Sequence, residues 1–431
     1  SDNNFCVKGV VTAHRELTPM AIEVKKVYQH VKTTRTANGV SVRNGYFFRD
    51  LSNYQMNWEL LEDGRVAERG TVASLNIAAQ DSAAFTISPK TKIAANKEYF
   101  LNIRYVLKTA EPFLPAGYEI AAEQFAYNTP APAPAAAPAN GKLTVIKDAQ
   151  TLKVKGTAFE ATFDLAHGIL ASYRLNGENI IENGPQPAFW RAPTDNDIGA
   201  NYNHSLRNWR DAYSKATITA ATDEQPSAVT VTFKASLLNG DASAVQSFTI
   251  APDGTIHVQN TFEGIKGDHK ILLRYGNDLQ LAEQFDQINW YGRGPWENYW
   301  DRKTASFVGL YQSNVAAQYF PYARPQESGN KTDVRWVTMT NKKGKGIRIE
   351  STGSTWLNFA ALPYSLDDLD PEADKKQYHS GELVARDKIF MHVDLQQSGV
   401  QGIDSWGSQP LEQYRIPFGK LNYSYVIKPL K

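Results

Sequence analysis

Hydrophobic and polar positions along the chain follow two rhythms. Near the start, Met20, Val24, Val27 and Tyr28 recur at i, i+4, i+7 and i+8, a spacing that predicts one buried stripe on an α-helix. Thr18 suits the N-cap and Pro19 the first helical position. Lys25, Lys26 and His30 fall near the carboxyl end, where positive charge suits the helix dipole. After this segment the rhythm becomes alternating and stays so. Leu101, Ile103, Tyr105 and Leu107 alternate with Asn102, Arg104, Val106 and Lys108, the pattern of a half-buried strand. Trp58-Glu59-Leu60-Leu61 runs into Glu62-Asp63-Gly64-Arg65, and Asp-Gly is a strong hairpin signal. Residues 31–128 therefore predict a small Ig-like sandwich.

The run from Thr129 to Pro138, with prolines at 130, 132, 134 and 138, blocks ladder hydrogen bonds and predicts an extended linker over 129–141. The alternative is a loop within one domain. Beyond it, Phe159, Ala161, Phe163 and Leu165 alternate, Asn176-Gly177 marks a turn, and Val229 to Phe233, Ile271 to Tyr275 and Tyr423 to Ile427 read as strands. With no convincing long helix, 142–431 predicts one large all-β domain of stacked sheets. No fixed-period repeat favours a propeller or solenoid.

Length and composition narrow the classes. The 431 residues suffice for two to four domains. A 42% hydrophobic, 21% charged chain is that of a globular protein and not a disordered one. Forty-six basic against 45 acidic residues give a net charge of +1, which supplies no footprint for nucleic acid. No apolar run is long enough to cross a bilayer as a helix. The single Cys6 excludes an internal disulfide or a cysteine zinc site. Nine Trp and 21 Tyr suit β-sandwich cores or a sugar-stacking surface. The polar stub Ser1-Asp2-Asn3-Asn4, running into Phe5-Cys6-Val7, reads as a chain cut from something longer.

Three clusters are candidates for chemistry. In Trp190-Arg191-Ala192-Pro193-Thr194-Asp195-Asn196-Asp197-Ile198-Gly199, Asp195 and Asp197 offer oxygen ligands to a hard cation, but the distal Glu of a calcium loop is missing. A turn-rich loop satisfying its own backbone is the competing reading. The segment Trp290 to Arg302 has Gly292 and Gly294 at a phosphate-loop spacing, yet no Lys follows and Pro295 interrupts it, so it predicts a buried corner or a sugar-facing surface. In Gly402-Ile403-Asp404-Ser405-Trp406-Gly407-Ser408 the Trp lies in a predicted loop, either tucked into a neighbour or held as a binding platform. No G-x-S-x-G elbow or H-E-x-x-H pair occurs, and the acidic residues offer too many pairs to rank as glycosidase carboxylates.

Taken in order, these motifs resemble the C-terminal part of the large family 2 β-galactosidases. The resemblance runs through Phe5-Cys6 with Gly9, Arg191-Ala192-Pro193 with Asp195-Asn196-Asp197-Ile198-Gly199, and Gly294-Pro295 with Glu297-Asn298-Tyr299 and Asp301-Arg302. It continues through Pro321-Tyr322 with Pro325-Gln326-Glu327-Ser328-Gly329, Trp356-Leu357-Asn358, and Asp404-Ser405-Trp406. It implies a mainly β chain: residues 1–30 as the helical remnant closing a (β/α)8 catalytic barrel, 31–128 as the Ig-like sandwich, and 142–431 as a galactose-mutarotase-like supersandwich. It implies that both catalytic glutamates of a retaining hydrolase, and the ligands of a catalytic magnesium, lie upstream of residue 1. The chain alone is then inactive on β-galactosides and contributes no catalytic residue.

What the resemblance does assign is Trp406, stacking on the substrate sugar, and Asp195, Asn196, Asp197 and Gly199 as a mobile active-site loop hinged at Gly199, which displaces the calcium reading. It also points to a sodium site using the carbonyl of Phe5. There the family's Asn, three residues on, is replaced by Lys8, whose ammonium cannot ligate a cation, so the parent enzyme is expected to be insensitive to sodium. Expected partners are the β-galactoside, the missing barrel and further copies of the parent in a homo-oligomer, with no nucleic acid or membrane. The expected setting is the cytoplasm or periplasm of a bacterium. Two alternatives remain: an aldose mutarotase, needing a His acid such as His392 and a Glu base at the anomeric carbon, and a non-catalytic carbohydrate-binding β-sandwich module.

Overall fold

The computed structural model describes residues 9–128, 130, 141–352, 355–374, 378–400, 402, 404 and 407–430. Two compact units emerge, one within Gly9–Ala131 and Thr304–Leu310, the other within Pro132–Lys303 and Tyr311–Lys431. No helix among the described residues is long and apolar enough to cross a membrane.

The smaller unit opens with the helix Pro19–Tyr28, capped as its sequence predicts: the Thr18 hydroxyl accepts from the Ala21 N–H at 3.1 Å. Its apolar stripe is not buried. Val24, Val27 and Tyr28 are 40%, 56% and 76% exposed. The helix instead docks on the strand Glu119–Asn128 through polar atoms: Lys26 Nζ donates to the Ala122 carbonyl at 2.7 Å, and the Gln29 amide donates to Glu123 at 2.7 Å and accepts from the Ala122 N–H at 3.1 Å. The spacing foretold the helix correctly but not which face the described chain covers. Among the described residues the strands form a three-stranded and a four-stranded antiparallel sheet around one core that includes Val42, Met56, Ile103 and Tyr105. The hairpin joining Tyr54–Glu62 to Arg65–Val72 turns at Asp63 and Gly64, both with positive φ.

Among the described residues, the larger unit holds two nine-stranded sheets. They share a core in which Phe163 of one meets Phe248 of the other at 5.3 Å between ring centres. In the first sheet the strand Arg274–Ala282 pairs with Lys388–Gln397 on one side and Glu178–Ala188 on the other. Odd-numbered residues such as Leu279, Leu281, Met391 and Val393 enter the core. Period-two alternation therefore turns Asp278, Gln280, Phe390, His392 and Asp394 to the opposite face. That face carries the polar residues described next.

Candidate functional site

Asp195–Gly199 is a one-turn helix and not the loop its composition predicts. The reason is a capping box at short range: the Thr194 hydroxyl accepts from the Asp197 N–H at 3.2 Å, and Asp197 Oδ2 accepts from the Thr194 N–H at 2.9 Å. Asp197 also takes Arg191 in a two-pronged pair, Nε to Oδ2 at 3.0 Å and Nη2 to Oδ1 at 2.9 Å. The two side chains are 4% and 0% exposed. Three of the acceptor sites of Asp197 are thus taken from within the chain, two of them by a guanidinium, so Asp197 serves as an internal anchor and not as an open cation ligand. Among the described residues no group of three or more His, Cys, Asp or Glu is placed to hold a metal.

Arg191 reaches further. Its Nη1 donates to the Ser398 carbonyl, and its Nη2 to the Gly399 carbonyl at 3.0 Å. Asp301 accepts from the Val400 N–H at 3.2 Å, and the Gly399 N–H donates to the Tyr414 carbonyl at 2.7 Å. Two motifs far apart in sequence thus hold the chain that leads into residues 401–406. On its far side, Gly407 has φ +96°, and a Cβ there would lie 2.2 Å from both C and O of Gly199. Only glycine permits that approach. Asp404 accepts from the Ser408 hydroxyl at 2.5 Å. Gln326 completes the assembly: its amide donates to Asp195 Oδ2 at 3.3 Å.

The structure therefore sets Gly199 against Gly407, Asp197 on Arg191 and Asp195 on Gln326. Asn196 is half-buried, its carbonyl accepting from the Ala200 N–H at 2.9 Å. Trp406, Phe5 and Lys8 lie outside the described residues.

The remaining motif residues form a buried network. Glu297 accepts from Arg302 Nη2 at 2.5 Å, the Gly329 N–H at 2.7 Å, the Ser328 hydroxyl at 3.2 Å and the Tyr322 hydroxyl. Asn298 accepts from the Thr332 N–H at 2.9 Å while Asn330 donates to the Asn298 carbonyl at 2.8 Å. Every acceptor of Glu297 is used internally, so it is structural. Trp290 is buried, which settles that end of its cluster as a corner.

A second group went largely unread in the sequence. Asp394, fully buried, accepts from Arg274 Nε at 3.0 Å on Oδ1 and pairs with His392 Nδ1 at 2.9 Å on Oδ2. Arg274 also pairs with Asp278 and donates to the Trp190 carbonyl at 2.9 Å. Gly276 makes room for this, because a Cβ there would meet Asp394 Oδ1 at 1.7 Å. With Nδ1 engaged by Asp394, His392 turns Nε2 toward Glu327 Oε1, 3.9 Å away. Glu327 Oε1 accepts from the Gln397 amide at 3.0 Å, and the Glu327 N–H donates to the Ala192 carbonyl at 3.1 Å. Burial pushes the Glu327 carboxyl up, against the nearby His392, Gln397 and arginines. Burial and the Arg274 charge pull the His392 imidazole down, but Asp394 and Glu327 together hold the ring above its ordinary value. An oriented imidazole facing a perturbed carboxyl in a cleft is the arrangement of an acid–base pair. The legible signal was His392-x-Asp394 on a strand, which puts both on one face; Arg274 and Glu327 join only through the fold.

With this geometry in place, the similarities to known proteins can be read. Residues 155–427 match the family described as the β-galactosidase small chain, and residues 40–128 match β-galactosidase domain 4. The chain is 35% identical to the β-galactosidase of Priestia megaterium over 438 residues, covering 100% of this chain and 41% of the relative. It is 30% identical to that of Streptococcus thermophilus over 439 residues, covering 100% of this chain and 41% of the relative. It thus spans about two fifths of the length of these curated relatives. Among solved structures, a galactose 1-epimerase from Lactobacillus acidophilus NCFM matches at 10% identity, covering 68% of this chain and 99% of its own, with a TM-score of 0.35.

Proposed function

Since the chain belongs to the β-galactosidase small-chain family, we propose that it is the C-terminal part of a retaining β-galactosidase that removes terminal β-D-galactose. In this reading the two catalytic glutamates and the magnesium ligands are supplied upstream, and this part completes the sugar pocket. The observation that carries it is the joint built by Arg191, Asp197, Gly199 and Gly407. Arg191 grips the carbonyls of Ser398 and Gly399, and Gly407 rests on Gly199. Two guanidinium arms and a glycine contact thereby fix both ends of the segment that carries Trp406. The flat indole face then stacks on the apolar face of the sugar, a contact of roughly 1 kcal/mol or more beyond simple burial.

The exposed apolar face of the first helix supports the same reading. Val24, Val27 and Tyr28 are 40%, 56% and 76% exposed, a surface suited to packing against further chain. Lys8 in place of a neutral ligand supports a parent enzyme that does not depend on sodium. The test is kinetic. In the chain joined to its upstream barrel, Trp406→Ala should raise KM for lactose about tenfold or more while the larger unit keeps its unfolding midpoint. An unchanged KM would remove Trp406 from the pocket.

A further inference from the structure

The face of the first large sheet that points away from the core bounds a cavity of about 390 Å3. Three of its side chains stand in one row on adjacent strands: Gln186 opposite Asp278, and Asp278 opposite His392. At its floor lie Arg274, Glu327 and His392, with side chains 4%, 5% and 12% exposed, while Asp278 at 36% lies toward the mouth. Phe390 and Tyr364 contribute apolar wall. The volume sits at the small end of ligand sites, roughly 300–1,000 Å3, and suits a single pyranose ring better than an oligosaccharide. The charges also choose the ligand. Arg274 is taken by Asp278 and Asp394, and His392 by Asp394, so no unpaired cation among these groups awaits a phosphate. Paired acceptors, donors and an aromatic wall match a neutral polyhydroxyl compound.

We infer that this cavity takes a free aldopyranose and that His392 and Glu327 catalyse opening and reclosure of its ring, interconverting the α and β anomers. Glu327 removes the proton from the C1 hydroxyl as that oxygen forms the carbonyl bond. The C1–O5 bond breaks, its electron pair goes to O5, and O5 takes the proton from His392 Nε2. Rotation about C1–C2 presents the other carbonyl face. Reclosure then returns the proton from the O5 hydroxyl to His392 and that of Glu327 to O1. Nothing is oxidised or reduced, and no co-reactant is consumed. Asp394 is a positioning residue: by accepting from Nδ1 it fixes the tautomer and supports the imidazolium that donates. The 3.9 Å between Nε2 and Glu327 Oε1 allows adjacent oxygens, O5 and O1, to engage one group each. The Asp394 carboxylate on Nδ1 favours the protonated form of the ring that donates. The activity requires no glycosidic bond cleavage and is independent of the galactosidase reading. In a β-galactosidase it would follow hydrolysis, acting on the single anomer that a stereospecific hydrolase releases.

The experiment is polarimetry of freshly dissolved α-D-galactose and α-D-glucose with the 431-residue chain, against buffer alone. The expected result is mutarotation well above the spontaneous rate, inhibited by methyl α-D-galactoside, which has no free C1 hydroxyl. Glu327→Gln and His392→Asn should each lower the protein-dependent rate about 100-fold or more. Asp394→Asn should shift the pH profile of that rate, which a merely structural role would not do. A wild-type rate equal to buffer overturns the proposal without any variant. So does full activity in folded Glu327→Gln or His392→Asn protein, checked by circular dichroism.

Discussion

Replacing Asp197 by Ala tests whether the Arg191 joint is as dry and as tightly paired as its geometry says. The pair is 0% and 4% exposed, with two guanidinium bonds at 2.9 and 3.0 Å. Removing one partner of a buried pair strands the other charge and costs about 3–5 kcal/mol. One feature lowers the expected loss and another raises it. Burial disfavours the Arg191 charge, and among the groups that offset it Asp197 leads, but Glu327 and Asp301 also contribute. Against this, Ala also removes the Thr194 N–H acceptor and half of the capping box, about 1 kcal/mol more. A loss of about 4 kcal/mol lowers the larger unit's thermal midpoint by roughly 10 °C. Near-ultraviolet circular dichroism of that unit, with urea unfolding alongside, reads it directly. Hydrogen exchange of the Gly399 and Val400 amides should accelerate, because Arg191 no longer holds the carbonyls beside them. A loss under about 1 kcal/mol would refute the reasoning, showing that water or another carboxylate replaces Asp197 at little cost.

Further outcomes follow from other contacts. Gly407→Ala places a methyl 2.2 Å from Gly199 in a left-handed backbone, and should weaken substrate binding by the assembled enzyme at least tenfold, measured as KM, while leaving the core's unfolding midpoint nearly unchanged. Lys331 is buried, donates to Gln318 and the Gly329 carbonyl, and burial pushes its ammonium down from 10.5 to about 8, against Glu297. The unfolded chain therefore binds more protons between pH 8 and 10.5, so this group makes stability rise with pH across that window. The difference in unfolding free energy between wild type and Lys331→Met should shift toward wild type by roughly 3 kcal/mol over that span, and a flat difference would contradict it. Val27→Ser with Tyr28→Ser should change the isolated chain's stability by less than about 0.5 kcal/mol, yet weaken its association with the upstream barrel supplied in trans, measured by titration.

Local rhythm made the fold class legible. Alternation at Phe159 to Leu165 and the Asp63-Gly64 and Asn176-Gly177 turns are decided by near neighbours, and both Asp and Asn take up positive φ there. The helix start at Thr18 is equally local. The buried face of that helix was not legible, because its apolar stripe reports what could be covered and not what is. Asp195–Gly199 misled for a related reason: Asp, Asn and Gly favour turns, but here Thr194 and Asp197 cap a helical turn and Arg191, six residues back, neutralises it. The site around His392 and Glu327 is closed by residues far apart in sequence, 120 apart for Arg274 and Asp394, a closure no window of sequence reports. The motif positions were visible as a set, though their division into the grip on the 398–400 segment and the Glu297 network came only from the fold.

The most direct test of the central claim is hydrolysis of a nitrophenyl β-galactoside by this chain alone and by the same chain joined to its upstream barrel. The account predicts no hydrolysis alone, activity in the joined form, and a marked drop in that activity with Trp406→Ala. Hydrolysis by the 431-residue chain alone, or full activity of the joined enzyme without Trp406, would contradict it.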